Sequence, residues 1–512
     1  MALGKQSIII NSDDLVQGLT TSANLTDGGM SPETEGVNLI ANPGVLYATN
    51  GATDLGNTGR AYPILCSCND IGYSADETKS FDRIMADSFG YLYGVQGGAL
   101  EEIVVTNPSG TFYDGQADLI YYGSNVYMTA TSTVAKYTIT YGSSPTATQS
   151  VTWWTASTLN SAAVHPMLVF NKVLFIADGN LLHTYDGSSQ TAAVLTLYPN
   201  EYITALDIDP GSGRMLVATS ILAGGFQGTS ADYNSIRYTQ SYIGLYDGTN
   251  PTQFLRKVPV DASVTSFRNV GGTMYCVYGG NIGKWTGSGI DFVRNLHATF
   301  GTSTPTLIYK NRFSHINKNL LFTNNYPNVN PYLNATSYQV ISLTNIKRDQ
   351  IAFSTLITQG ITYGIVTGMY NSNTNKDGIM WTYLNGGDSK IHASFVPLYD
   401  KTTVLSTGDN SPLIVSKKYT FPRPCTITQV RVFFEDQVAA DATDLGNLAI
   451  IDDNRNVVWN EDLSNPSGGV AVGWLDKFPG VKTSKFQLKY QWKETSTNHG
   501  INSFIVFYNP IE

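Results

Sequence analysis

Carboxylates close together in the chain are the first residues that could do chemistry, because such pairs hold divalent cations or act as acid and base. The run Asp452-Asp453-Asn454-Arg455-Asn456 matches the opening of a calcium loop. Its sixth position is Val457 where the loop needs Gly, and its twelfth is Leu463 where a bidentate Glu belongs, so a hairpin turn is the better reading. Asp207 and Asp209 share one strand face beside Pro210-Gly211. Two carboxylates there suit calcium, but Asp before Pro-Gly is ordinary turn chemistry, and the turn is favoured. Histidines stand at 165, 183, 297, 315, 392 and 499, with no His-x-His or His-Glu-x-x-His spacing. Cys66, Cys68, Cys276 and Cys425 make neither a disulfide framework nor a paired zinc motif, and read as buried thiols. No metal and no cofactor is expected.

Nucleophilic and phosphate chemistry leave no mark either. There is no Gly-x-Ser-x-Gly elbow, no phosphate loop and no Gly-x-Gly-x-x-Gly following a strand. The sequence carries no enzyme signature, no catalytic residue is assigned, and the chain is expected not to be an enzyme.

The elements that must carry any site are strands. Of 512 residues only 14% are charged while 42% are hydrophobic, and Gly (48) and Tyr (31) are abundant. Such a surface is covered by Ser, Thr, Asn, Gly and Tyr, a profile of β-rich proteins that work outside cells or in virus particles. The net charge of −9, with no Lys/Arg run, argues against broad nucleic-acid binding. No apolar stretch is long enough for a membrane span, and the first eleven residues hold no signal-peptide core.

From about residue 79 to 385 an apolar signature recurs, each time followed by a turn and another strand. It reads Leu92-Tyr-Gly-Val95, Val126-Tyr-Met-Thr129, Leu174-Phe-Ile-Ala177, Leu216-Val-Ala-Thr219, Tyr275-Cys-Val-Tyr278, Leu321-Phe-Thr-Asn324 and Ile365-Val-Thr-Gly368. The spacings are 34, 48, 42, 59, 46 and 44 residues, a mean near 45 that matches the period of a propeller blade. Asp-Gly pairs beginning at Asp114, Asp178, Asp186, Asp247 and Asp377 suit the turns of twisted antiparallel strands. The fold class expected is all-β: a β-propeller of six or seven blades over 79–385, preceded by an extended arm over 1–78. A linker over 386–411 then leads to a β-sandwich over 412–512, jelly-roll-like or immunoglobulin-like. In that last stretch Thr426–Phe434, Leu448–Ile451, Val457–Trp459, Phe486–Trp492 and Ser503–Tyr508 read as strands.

Two blades carry insertions, Ile221–Asn234 and Asn324–Asn334, and insertions in repeat folds map to loops that make contacts. Leu222, Phe226, Tyr233, Tyr326 and Tyr332 are the candidate contact residues there, with a plain solvated loop at least as good a reading of each insertion. Propeller glycosidases need two carboxylates across a cleft. Thr374-Asn-Lys-Asp377-Gly-Ile-Met-Trp381 is only a single, off-register imitation of the Asp-box turn of sialidases.

The N-terminal wording Asp14-Leu-Val-Gln-Gly-Leu-Thr-Thr-Ser-Ala-Asn24, then Glu35-Gly-Val-Asn-Leu-Ile-Ala-Asn-Pro-Gly-Val-Leu46, is similar to openings of tailed-phage virion proteins. Together with the central repeats, the layout resembles the tail nozzle (tail-hub) proteins of short-tailed phages. The C-terminal sandwich is not a required part of that pattern. The resemblance implies a structural protein of the virion tail, made in the host cytoplasm. It implies a homo-oligomer, a hexameric ring at the tail tip, enclosing the channel through which DNA is ejected without specific binding. It further implies a tail adaptor and fibre proteins as partners, with the arm meeting a neighbouring subunit or the adaptor. On the same resemblance the insertion near Phe226 is a candidate channel loop, and Trp459, Trp474 and Trp492 are the candidate glycan-contact aromatics of the sandwich, core packing being the favoured reading of each. A glycan- or receptor-binding virion protein is the first alternative, and a propeller polysaccharide hydrolase or lyase the second.

Overall fold

The computed structural model describes the chain apart from residues 1–5, 12–32, 39–44, 49–52, 69–80, 113–116, 223–237, 296–312, 325–338, 358–364, 398–412, 466–469 and 494–498 and some shorter breaks. Every described regular element is a strand. The N-terminal strands are β1 (Gln6–Asn11), β2 (Glu33–Glu35), β3 (Val37–Asn38), β4 (Tyr47–Ala48) and β5 (Thr53–Asn57). Blade 1 is β6 (Ile64–Cys68), β7 (Arg83–Asp87), β8 (Leu92–Gln96) and β9 (Ala99–Thr106). Blade 2 is β10 (Leu119–Tyr122), β11 (Asn125–Thr129), β12 (Val134–Thr140) and β13 (Thr146–Ser150). Blade 3 is β14 (Met167–Phe170), β15 (Val173–Asp178), β16 (Leu181–Tyr185) and β17 (Gln190–Thr196). Blade 4 is β18 (Glu201–Ile208), β19 (Met215–Leu222), β20 (Tyr238–Tyr246) and β21 (Arg256–Val260). Blade 5 is β22 (Val264–Val270), β23 (Thr273–Tyr278), β24 (Asn281–Trp285) and β25 (Ile290–Asn295). Blade 6 is β26 (Phe313–Ile316), β27 (Asn319–Asn324), β28 (Gln339–Ile346) and β29 (Gln350–Ile357). Blade 7 takes β30 (Val366–Asn371), β31 (Lys376–Asn385) and β32 (Lys390–Pro397) from its own stretch, and its fourth strand is β5.

This is a seven-bladed β-propeller closed by its N-terminal segment. The first strands of successive blades neighbour one another around the axis, from β6 through β30. β5 pairs antiparallel with β32, with Thr53 opposite Phe395 and Asn57 opposite His392, and lies beside β9 of blade 1. One apolar cluster seals the junction: Leu55, Ile64, Met85, Tyr93, Val95, Met369, Met380, Ile391 and Phe395 join blades 7 and 1. Equivalent clusters lie between blades 1 and 2, 2 and 3, 3 and 4, and 4 and 5. The sheets of blades 1 to 4 are therefore covered on both faces, which is why their second strands read as continuous apolar residues instead of alternating ones.

The blades extend beyond the 79–385 expected from the repeat, on both sides. β5 and β6 fall inside the expected arm and β32 inside the expected linker, because ring closure borrows a strand from the other end of the chain. The irregular first spacing has a structural cause as well. In blade 1 the signature at Leu92 lies on the third strand, whereas those at Val126, Leu174, Leu216, Tyr275 and Leu321 lie on second strands. Taking Met85 of the true second strand, the distance to Tyr127 is 42 residues. The signature at Ile365 belongs to the first strand of blade 7. Asp178, Asp186 and Asp247 stand at strand ends or turns as expected, but Asp377-Gly378 lies within β31, opposite Tyr370 and Met369. A side chain at Gly378 would collide with the Phe395 ring and the Val396 carbonyl, so that glycine serves close packing instead of a turn.

The remaining strands are β33 (Leu413–Val415), β34 (Tyr419–Val438), β35 (Gly446–Ile451), β36 (Val457–Leu463), β37 (Val472–Lys477), β38 (Val481–Gln491) and β39 (Ile501–Pro510). They form the β-sandwich. One sheet runs β1-β39-β34-β37 and the other β2-β33-β38-β35-β36, with the long β34 also pairing β38. Its core holds Phe421, Ile427, Val430, Val432, Leu448, Ile450, Phe486, Leu488, Tyr490, Trp492, Phe504 and Val506. Ile10 and Leu46 from the expected arm are buried in that same core. β2 pairs β33 of the sandwich and β29 of blade 6, so the N-terminal segment is built into both units.

Candidate functional site

The seven blades share one up-and-down order, so every connection from second to third strand emerges at the same face. Both insertions are such connections: 223–237 links β19 to β20, and 325–338 links β27 to β28. Leu222, opposite Tyr238, is the last residue of β19 and stands at the root of the first. Phe226, Tyr233, Tyr326 and Tyr332 lie outside the described residues. β32 runs away from this face, so Pro397, from which the chain continues toward the sandwich, is at the opposite one.

On the insertion face, blade 1 presents an aromatic ladder that sequence reading did not single out. Phe89, 51% exposed, stacks on Tyr62 with ring centroids 4.0 Å apart; Tyr62 stacks on Tyr91, and the Arg60 guanidinium lies 3.9 Å from the Tyr91 centroid. Arg60 is held by Glu102 at 2.8 Å. Beneath the ladder Asp87 is buried, accepting hydrogen bonds from Phe89 N (2.9 Å), Tyr91 N (3.0 Å) and the Tyr93 hydroxyl (2.9 Å). Burial pushes its carboxyl up to about 6, against the pull of those hydrogen bonds and of Arg60. Between about pH 4 and 6 the folded chain therefore keeps a proton that the unfolded chain releases, and stability falls as pH rises through that window. Asp87→Asn removes this titration, so its stability relative to the parent should rise between pH 4 and 7 in urea unfolding. A pH-independent difference would mean that the carboxyl is not raised.

Ser157, His183 and Asp178 are the described residues most like a nucleophilic triad. His183 Nε2 lies 3.4 Å from Ser157 Oγ and 3.3 Å from Asp178 Oδ2, while Nδ1 accepts the Ala193 N–H at 3.0 Å. A triad needs the carboxylate on one ring nitrogen and the nucleophile on the other. Here one nitrogen serves both, and the backbone bond to Nδ1 leaves the proton on Nε2, so the ring cannot take a proton from Ser157. Asp178 also accepts Asn160 N at 2.6 Å, and Ala193 adopts φ 54° beside an irregular register at Leu182/Thr184. The cluster ties the strands of blade 3 to the connection from blade 2. Burial lowers the pKa of the neighbouring His165, whose Nδ1 lies 3.1 Å from the Ala177 carbonyl.

The metal lookalikes are turns. Asp209 accepts Ser212 N (3.1 Å) and Ser212 Oγ (2.5 Å), and Asp452 accepts Asn456 N (2.8 Å). Among the described residues no three His, Cys, Asp or Glu side chains converge on a metal position, and all four cysteines are buried thiols.

The three candidate tryptophans separate by burial. Trp492 is 0% exposed, edge-on to Tyr490 at 4.7 Å, and is core. Trp459 is half-buried and packs against the same core. Trp474 is 42% exposed on edge strand β37, whose next residue, Leu475, turns into the core. The Arg431 guanidinium lies 3.9 Å from the Trp474 centroid and is held by Asp476 through Nε–Oδ1 (2.7 Å) and Nη2–Oδ2 (2.8 Å). The burial of Trp492 was readable from the alternation Phe486, Leu488, Tyr490, Trp492; the exposure of Trp474 has no such pattern behind it.

No family model and no curated protein matches the sequence. Among solved structures, the WD40 propeller domain of Doa1 aligns over 68% of this chain and 96% of its own, at 10% identity and a TM-score of 0.37. The computationally designed Ika8 protein aligns over 66% and 98%, at 10% identity and 0.36. A glycoside hydrolase family 43 arabinoxylan arabinofuranohydrolase from Bacillus subtilis aligns over 88% and 98%, at 10% identity and 0.29. Likenesses this distant bring no activity with them; the fold rests on the strand pairing itself.

Proposed function

We propose that the chain is a structural, non-catalytic component of a phage tail, one copy of a ring around the DNA exit channel. The observation that carries this reading is the N-terminal segment, whose phage-like wording leads into strands built into both units: β1 and β2 in the sandwich, β5 in the last blade. A scaffold that bears load between neighbours gains from such ties. The weakly charged, acidic chain supports the reading too, since DNA passes most easily along walls that do not hold its phosphates. Buried His183 and Asp178, with half-buried Ser157, serve as ties within the propeller, which favours a scaffold over a hydrolase.

The test is the composition and architecture of virus particles whose genome encodes the chain. The chain should be found in purified particles, antibody against it should label the tail tip, and native mass of the assembled component should give a hexamer. Its absence from particles, or release of reducing ends from a polysaccharide panel by the purified chain, would overturn the reading.

A further inference from the structure

Among the described residues the outer face of the β1-β39-β34-β37 sheet ends at β37, which pairs there only with β34. Arg431 and Asp476 stand directly opposite each other on those two strands, as do Phe433 and Trp474. Strand alternation sends Leu475 inward and its neighbours Trp474 and Asp476 outward. The indole is left 42% in water, a large flat apolar surface open to a ligand. This one is also held in place: the guanidinium stacked at 3.9 Å is itself clamped by two hydrogen bonds to Asp476. Phe478, two residues past Asp476, is 70% exposed. In extended chain it lies about 13 Å from Trp474.

The chemistry of the patch selects its occupant. Arg431 is neutralised by Asp476, so the patch has little to attract an anion, and an acidic partner or nucleic acid gains nothing there. A protein interface needs about 800 Å² from each partner, whereas the exposed part of one indole offers roughly 100 Å². A sugar ring is the right size. The flat C–H face of a pyranose stacks on an indole, and its hydroxyls meet the remaining guanidinium N–H groups and carboxylate lone pairs at the rim. We propose that the β37 edge of the sandwich is a saccharide-binding site for neutral oligosaccharide, with one ring on Trp474, hydroxyls toward Arg431 and Asp476, and a further ring on Phe478. Held rigid before the ligand arrives, the platform loses little side-chain entropy on binding.

The full chain should bind at least one member of an array of neutral polysaccharides, comprising dextran, mannan, galactan, β-glucan and neutral lipopolysaccharide O-chains, read by biolayer interferometry. Trp474→Ala should weaken that binding about tenfold or more. Trp474→Leu, which keeps apolar volume without a flat ring, should do the same, and Phe478→Ala should weaken it less. Phe292→Ala, which alters an exposed aromatic of blade 5, should leave it unchanged. Unaltered thermal unfolding of the two Trp474 variants shows that the loss is local. No binding to any member, or equal binding by the parent and both Trp474 variants, overturns the site. The site needs no ring, so its failure leaves the tail reading to be decided by particle composition.

Discussion

Deletion of residues 1–57 should abolish cooperative thermal unfolding of the chain and expose blade 7 to proteolysis. The deletion removes the fourth strand of blade 7, leaving β32 as an open edge. It takes Leu55 out of the cluster between blades 7 and 1, and Ile10 and Leu46 out of the sandwich core. At ~1.5–3 kcal/mol for each buried side chain, these three contribute roughly 5–9 kcal/mol. That is comparable with the whole net stability of a typical domain, about 5–15 kcal/mol. The backbone bonds across the seam and the contact of His392 Nδ1 with Asp54 Oδ2, 3.3 Å long and spanning 338 residues, are lost as well. Thermal unfolding and limited proteolysis read the result. Leu55→Asp, which spoils the seam while keeping the sandwich strand, should lower the transition without destroying it. A truncated chain that melts like the parent would show that closure does not depend on β5.

Asp178→Ala should destabilise the propeller by on the order of 4 kcal/mol, measured from urea unfolding. The carboxylate is buried at the end of β15 and accepts both the Asn160 N–H and the His183 Nε2–H. A buried donor left without an acceptor costs about 1–3 kcal/mol, and more when the lost acceptor was charged; the buried His183 N–H carries most of the loss and the part-buried Asn160 N–H the rest. His183 cannot relieve the loss by turning, because its Nδ1 is engaged by Ala193 N, and its Nε2 keeps only the longer 3.4 Å contact with Ser157 Oγ. Asp178→Asn keeps one acceptor oxygen and should cost about half as much. If Asp178→Ala unfolds at the parent's urea midpoint, the cluster is not a structural tie and the case against a catalytic role for Ser157 weakens with it.

Much of the fold was legible because it is local. The run Val173–Asp178, the turn at Gly179 and the strand Leu181–Tyr185 follow from apolar patterning and a positive-φ glycine, within fifteen residues of one another. The blade period and the C-terminal strands come from the same two signals. Where the reading slipped, a local signal pointed two ways. An apolar quartet marks a strand covered on both faces, and in blade 1 the third strand fits that description as well as the second. Asp-Gly marks a turn, yet at Asp377-Gly378 the glycine makes room for Phe395 in mid-strand.

By itself the sequence determined that the chain is all strand, that its middle repeats at the blade period, and that a second β unit follows. Those properties depend on side-chain periodicity and turn chemistry over a few residues. Only the tertiary structure decided that there are seven blades, since the seventh is completed by β5, more than three hundred residues from β32. It alone decided that β1 and β2 belong to the sandwich, and that Trp474 faces water over Arg431. Pairing at such separation is set by which strand edge remains open once the neighbouring strands have packed, and no local pattern records that.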